Sequence, residues 1–295
     1  MAKIINGKEI AAEIREEIRL EVAELKDKTG EVPGLAVVLV GEDPASEVYV
    51  RMKEKACEKA GITSFQHRLI AEISQKELLD LIEMLNHDSR VNGILVQLPL
   101  PDQIDEGKIL QAIDPDKDVD GFHPVNIGKL MAGEEGFLPC TPLGIMELLQ
   151  RSGNSPDGKH VVVVGRSNIV GKPIAMMLVR KKVGANATVT ICHTGTEDLG
   201  TITRQADILI VSAGRPSTIT ADMVKDGVVV IDVGVNQIGV TPEGKRILAG
   251  DVDFEEIKEK ARAITPVPGG VGPMTIAMLL RNTVQAFKLT PTALI

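Results

Sequence analysis

Val161-Val162-Val163-Val164-Gly165-Arg166-Ser167-Asn168-Ile169-Val170-Gly171-Lys172-Pro173 decides the fold of this chain. A four-valine run reads as a strand buried on both faces, and the residues after it read as a tight turn that opens a helix. Strand, turn and helix in this order are the context of a pyrophosphate-binding turn, because the free amides of a helix start face the anion. The Gly-x-Ser form is not the common GxGxxG fingerprint and is a weak signal alone. Its surroundings strengthen it. Thr188 to Ile191, Ile208 to Val211 and Val228 to Ile231 read as further buried strands with helical or loop crossovers, so this half has the pattern of a doubly wound nucleotide-binding domain.

Upstream, Ile10, Ile14, Ile18, Val22 and Leu25 recur at helical spacing until Gly30 and Pro33, and the apolar run Leu35 to Val40 follows. The alternation continues with a helix from about Pro44 to Ala60, a strand near Phe65 to Ile70, a helix through Leu78 to Leu85 and a strand from Gly93 to Leu98. It implies a second parallel sheet covered by helices. Thr141-Pro142 has the form of an N-cap followed by proline at the first helical position, and the polar stretch Ser152 to Lys159 after that helix marks a domain boundary nearby. A last apolar helix runs from about Met274 to Phe287.

With 295 residues, 43% of them hydrophobic, the chain is long enough for two domains. Its 33 basic residues against 41 acidic ones form no cationic footprint for nucleic acid or an anionic membrane, so a small molecule is the expected partner. Cys57, Cys140 and Cys192 are odd in number and far apart, which disfavours a disulfide framework or zinc site and fits a reducing cytoplasm. The N-terminus lacks the apolar core of a secretory signal, and no apolar run is long enough to span a bilayer. His67, His87 and His160 lack metal-ligand spacing, so no metal is expected, and His123 reads as structural.

Several residues stand out, each with a plain alternative. Tyr49 and Lys53 lie one helical turn apart, either as an aromatic platform beside an amine or as a solvated lysine beside a half-buried tyrosine. Gln97 ends an apolar strand before Pro99 and Pro101, at the strand end where open parallel sheets bind ligands, or it satisfies loop backbone there. Asp116, Asp118 and Asp120 imitate a calcium loop, but the twelfth position from Asp116 is Ile127 instead of the closing glutamate. Where a ribose-binding acid usually ends the second strand, the chain has Cys192-His193-Thr194, and Arg166 can neutralise a 2′-phosphate, which favours NADP over NAD. His193 contacts that phosphate or caps the strand.

Tyr49-Val50-Arg51-Met52-Lys53, Val96-Gln97-Leu98, Asp116-Lys117-Asp118-Val119-Asp120-Gly121 and Pro268-Gly269-Gly270-Val271-Gly272-Pro273-Met274-Thr275, with the Gly165 turn between the last two, resemble the bifunctional methylenetetrahydrofolate dehydrogenase/cyclohydrolase family along nearly the whole chain. The resemblance implies an α/β protein with an N-terminal three-layer catalytic domain, residues 1–140 plus 272–295, and a Rossmann-type NADP domain, residues 141–271. The C-terminal helix returns to the first domain. Lys53 takes the position of the catalytic lysine, with Gln97 as its hydrogen-bonding partner and Asp120 as the pterin contact. Tyr49, Leu98, Pro268, Gly269 and Gly270 fall beside the folate, and Gly165, Arg166, Ser167, Ile169, His193, Thr194 and Val235 beside the cofactor. Thr194 replaces a serine of the family's pattern; the hydroxyl persists beside an added methyl.

The resemblance also implies oxidation of 5,10-methylenetetrahydrofolate with NADP and hydration of the resulting methenyl cation to 10-formyltetrahydrofolate, in one cleft, by a cytoplasmic homodimer. Three rivals remain at this level. A dehydrogenase-only enzyme would keep the same contacts without hydration. A noncatalytic nucleotide-responsive module would not need Tyr49, Lys53, Gln97 and Asp120 together. A hydroxy-acid dehydrogenase would need a His-Arg-carboxylate set that is not apparent.

Overall fold

The computed structural model describes residues 1–242 and 244–290. Its elements run β1 (Lys3–Ile4), α1 (Gly7–Thr29), β2 (Gly34–Val40), α2 (Pro44–Ala60), β3 (Thr63–Leu69), α3 (Gln75–His87) and β4 (Gly93–Val96). Then follow α4 (Glu106–Ala112), α5 (Pro124–Ala132), α6 (Cys140–Arg151), β5 (His160–Val164), α7 (Gly171–Val179), β6 (Thr188–Cys192), α8 (Leu199–Thr203) and β7 (Ile208–Val211). The chain continues through β8 (Val229–Asp232), β9 (Asn236–Val240), β10 (Arg246–Ala249), α9 (Phe254–Lys260), β11 (Ala263–Ile264) and α10 (Val271–Lys288). No helix among the described residues is long and apolar enough to cross a membrane.

The chain divides into two compact units, one of Met1–Ala11 with Thr141–Thr275, the other of Ala12–Cys140 with the described residues from Ile276 onward. The second holds a parallel sheet of order β3-β2-β4. Every residue of β2 is buried, as a central strand between helical layers requires. Ala36, Val38 and Val40 point to one face, where they join Leu78, Ile82 and Leu85 of α3 and Ile109 of α4. A capping box starts α3: the Ser74 hydroxyl accepts from the Glu77 amide, and the Glu77 carboxylate accepts from the Ser74 amide. Asn282 of α10 donates to the carbonyls of Val119 at 2.8 Å and Leu138 at 3.0 Å, so the final helix returns to this unit.

The first unit holds a six-stranded parallel sheet, β1-β11-β8-β7-β5-β6, beside the antiparallel hairpin β9-β10. Chain order places β6 on one side of β5 and β7 on the other. The carboxyl end of β5 is therefore a topological switch point, where open parallel sheets bind ligands.

Several details differ from the sequence reading: β6, read as buried, exposes Thr188 and Ile191, and α10 starts at Val271, before Met274. The expected division put residues 1–140 together, whereas Lys3 and Ile4 pair with Ala263 and Ile264 and carry Met1–Ala11 into the six-stranded unit. Thr141 lies inside α6 and is not its cap; its hydroxyl meets the Thr275 hydroxyl at 2.9 Å. β4 ends at Val96, before Gln97, although the Gln97 amide still donates to the Val38 carbonyl at 2.8 Å.

Truncating Ile82, which is fully buried, should leave a cavity in the three-stranded unit. We expect Ile82→Ala to cost about 2 to 5 kcal/mol in urea denaturation, and Met84→Ala, at a 60% exposed position on the same helix, about 0.5 kcal/mol or less.

Candidate active site

Helix α2 begins with the Asp43 carboxylate accepting from the Ser46 amide at 2.7 Å and Pro44 in its first turn. Its buried stripe is Ser46, Val50, Lys53, Cys57 and Ala60, so Lys53 occupies a place that helical periodicity reserves for an apolar side chain. Tyr49 lies at the edge of that stripe and is 40% exposed. The Lys53 amine donates to Gln97 Oε1 at 2.9 Å. Gln97 is itself oriented, because its Nε2 donates to the Leu98 carbonyl at 2.6 Å.

Burial lowers the Lys53 pKa from the ordinary lysine value, and the nearby Asp120 carboxylate opposes that shift. Burial likewise raises the Asp120 pKa, with Lys53 and a hydrogen bond from the Cys140 thiol opposing it. Both members of the pair are thus pushed toward their neutral forms. Asp118 builds the loop that presents Asp120: its carboxylate accepts from the amides of Gly121 and Phe122, each at 3.2 Å, from the His123 amide at 2.8 Å and from Asn126 Nδ2 at 2.9 Å. Burial nevertheless pushes the Asp118 carboxyl up to about 6. Gly121 has φ +76°, and a Cβ there would lie 2.5 Å from the Leu138 carbonyl carbon, so this turn requires glycine.

In the six-stranded unit, Gly165 has φ +133° and lies so close to the Ser212 carbonyl that a Cβ would collide with it. The turn brings backbone, not side chain, to the mouth of a cavity of about 470 Å³. Gly165, Arg166, Ser167, His193 and Thr194, which the sequence reading sets beside a cofactor, line this cavity. Ser167 Oγ accepts from the amides of Val170 at 3.1 Å and Gly171 at 3.3 Å and closes the start of α7. Ile169 and Val235 do not line the cavity and are 44% and 47% exposed. Pro268, Gly269 and Gly270 form the loop before α10, where Gly269 has φ +109° and its carbonyl accepts from the Lys8 amide at 2.9 Å.

Two family models match: the catalytic domain of tetrahydrofolate dehydrogenase/cyclohydrolase over residues 5–120, and its NAD(P)-binding domain over residues 139–290. The chain belongs to the tetrahydrofolate dehydrogenase/cyclohydrolase family. It is 64% identical to the bifunctional protein FolD of Dehalococcoides mccartyi strain CBDB1, over 97% of each chain, and 64% identical to that of Syntrophus aciditrophicus over 98% of each. The crystal structure of the Campylobacter jejuni bifunctional enzyme matches with TM-score 0.91 and 53% identity, over 98% of this chain and 99% of that one. The Trypanosoma brucei dehydrogenase-cyclohydrolase, solved with NADP and an inhibitor, matches with TM-score 0.92 and 40% identity over 97% of each chain. As a member of this family the chain is a bifunctional dehydrogenase and cyclohydrolase of one-carbon metabolism, with NADP as its cofactor.

Sequence reasoning missed several residues in this tetrahydrofolate dehydrogenase/cyclohydrolase. Cys140 reaches Asp120 from a position twenty residues away and carries no motif signal of its own. Ser212, Ala213, Arg215 and Thr218 line the cavity from the loop after β7. Their signal was available, since they follow a buried parallel strand at its carboxyl end. The coupling between Lys53 and Asp120 gives a signed expectation. Asp120→Asn removes an anion and should lower the Lys53 pKa further, whereas Gln97→Glu adds one and should raise it, both readable by NMR titration of the lysine ε-methylene.

Proposed function

We propose that Lys53 is the proton acceptor of the hydration step in this methylenetetrahydrofolate dehydrogenase/cyclohydrolase, with Gln97 and Asp120 completing its catalytic group. The observation that carries this reading is a buried amine hydrogen-bonded to Gln97 beside the Asp120 carboxylate. Water adding to the methenyl carbon must lose a proton as it attacks, and an amine accepts that proton only when neutral. The burial that disfavours the ammonium form keeps such a form within reach, and the cationic substrate would disfavour the ammonium further. Gln97 Oε1 aligns the amine, and the amide group of Gln97 is held by Leu98 in turn.

Asp120 offers two acceptor oxygens to adjacent N–H donors of the pterin, and Tyr49 offers its exposed ring beside the same helix face. Leu98, which follows Gln97 in the same unit, joins the folate contacts in this reading. Ala12–Cys140 with the described residues from Ile276 onward carry the folate chemistry in this reading, and Met1–Ala11 with Thr141–Thr275 hold the cofactor. The side-chain-free cradle at Gly165 fits a pyrophosphate, and Arg166, with His193 and Thr194 on the same cavity, fits the 2′-phosphate. Ser167 lines the same cavity, and Ile169 and Val235 are assigned to the cofactor in this reading although they lie outside that lining. NADP supplies the hydride acceptor. Hydride loss leaves a cation shared by two nitrogens, so the protein's task in that step is alignment more than proton transfer.

The buried, unpaired thiols Cys57, Cys140 and Cys192 support a reducing cytoplasmic setting. Homodimerisation belongs to the same reading, because Ile238, Val240 and Ile247 expose apolar surface on the β9-β10 hairpin that a second copy would cover.

Separate assays of reduced-cofactor formation and methenyl hydrolysis test the assignment. Lys53→Met should lower hydration about 100-fold or more, the scale of general-base catalysis, and near-normal hydration by the folded variant would overturn the role of Lys53. Arg166→Ala should lose about 1.5 to 3 kcal/mol of charge-assisted bonding to the 2′-phosphate, so kcat/KM with NADP falls roughly tenfold or more while NAD is spared. An unchanged NADP-to-NAD ratio would remove Arg166 from that role.

A further inference from the structure

We propose that Arg215, on the loop after β7, stacks its guanidinium on the adenine ring of the bound dinucleotide. The inference rests on the NADP reading of the same cavity and adds a residue that reading does not use. Arg215 lines the cavity together with Arg166, His193 and Thr194, yet reaches it from the other side. The strand order β7-β5-β6 puts the loops after β7 and β6 on opposite flanks of the Gly165 turn. His193 and Thr194, which face the 2′-phosphate in this reading, follow β6. An arm from the β7 flank therefore meets the face of the base.

The loop is built to hold that arm in place. The buried Asp251 carboxylate accepts through Oδ2 from the amides of Ala213 at 2.6 Å and Gly214 at 2.9 Å. Its other oxygen accepts from Asn236 Nδ2 at 2.8 Å, and the Asp251 amide donates to Asp232 Oδ1 at 2.9 Å. On the far side of Arg215, the Thr218 hydroxyl donates to the Arg215 carbonyl at 2.8 Å, and Pro216 fixes the next φ. With its backbone fastened on both sides, the arginine makes no side-chain hydrogen bond or ion pair among the described residues and is exposed.

The composition says what such an arm does. The chain has no Trp, one Tyr and five Phe, and none of these side chains is among the described residues that line the cavity, where the only aromatic ring is the His193 imidazole on the β6 flank. A base entering there finds an apolar wall at Leu199, and on the β7 flank Arg215 supplies the planar surface that a Phe, Tyr or Trp would otherwise provide. A guanidinium stacks on aromatic faces, which the ammonium of lysine, a compact point charge, does not.

Stacking and phosphate pairing make opposite demands on substitutions, and calorimetric affinities for NADP and NAD separate them. If Arg215 stacks on adenine, Arg215→Ala and Arg215→Lys should each weaken both dinucleotides about fivefold or more, with the NADP-to-NAD ratio unchanged, because both carry the base. Arg215→Tyr should retain wild-type affinity within about twofold. Unchanged affinities in Arg215→Ala, a loss confined to NADP, or retention by Arg215→Lys with loss in Arg215→Tyr would each overturn the proposal while leaving the cofactor reading intact. A wild-type chain that binds neither dinucleotide would overturn the cofactor reading and the proposal together.

Discussion

Burying an amine on the apolar stripe of α2 is the constraint around which the catalytic unit is arranged. An uncompensated ammonium in such a position is costly, and the structure compensates it by hydrogen bonding to Gln97 and by the nearby carboxylate of Asp120. Each compensating group then needs its own support. Gln97 is pinned to the Leu98 carbonyl, and Asp120 rides on a loop whose amides converge on Asp118. A glycine at 121 is part of the same requirement, since the turn leaves no space for a side chain. Desolvation that would otherwise only weaken the fold here brings a lysine toward neutrality, which is the property a proton acceptor requires.

The six-stranded unit solves a related problem with two buried carboxylates. Asp232, at the end of β8, accepts from the amides of Gly234, Asp251 and Val252, and burial pushes its carboxyl up to about 6. Asp251 in turn fastens the loop after β7. Gly234 and Gly250 pack so closely on these carboxylates that neither has room for a Cβ. Loops at the carboxyl ends of parallel strands carry amides that no sheet partner satisfies. The two aspartates satisfy several of them internally, the amides of Ala213 and Gly214 beside the cavity among them.

Much of this was legible in the chain. Continuous apolar runs marked β2, β4, β5, β7 and β8, and the switch from strand to glycine turn to helix marked the turn at Gly165 that lines the cavity. β1 and β9 were not legible: the first has two residues, and the second carries a mixed polar pattern that resembles a loop. Thr141-Pro142 had the chemistry of a helix start, yet the helix begins at Cys140, two residues before the expected first helical position, and the Thr141 hydroxyl meets Thr275 instead of capping it.

The sequence by itself determined the two parallel sheets, the residue types available for chemistry and the family to which their order belongs, because apolar patterning and turn conformation are set by residues adjacent in the chain. Only the tertiary structure decided that Lys53 is buried against Gln97, forty-four residues away, that Cys140 meets Asp120, and that Asp251 ties down the loop bearing Arg215. Those pairings set proton affinities and side-chain directions through burial and long-range hydrogen bonds, quantities that no local pattern of residues encodes.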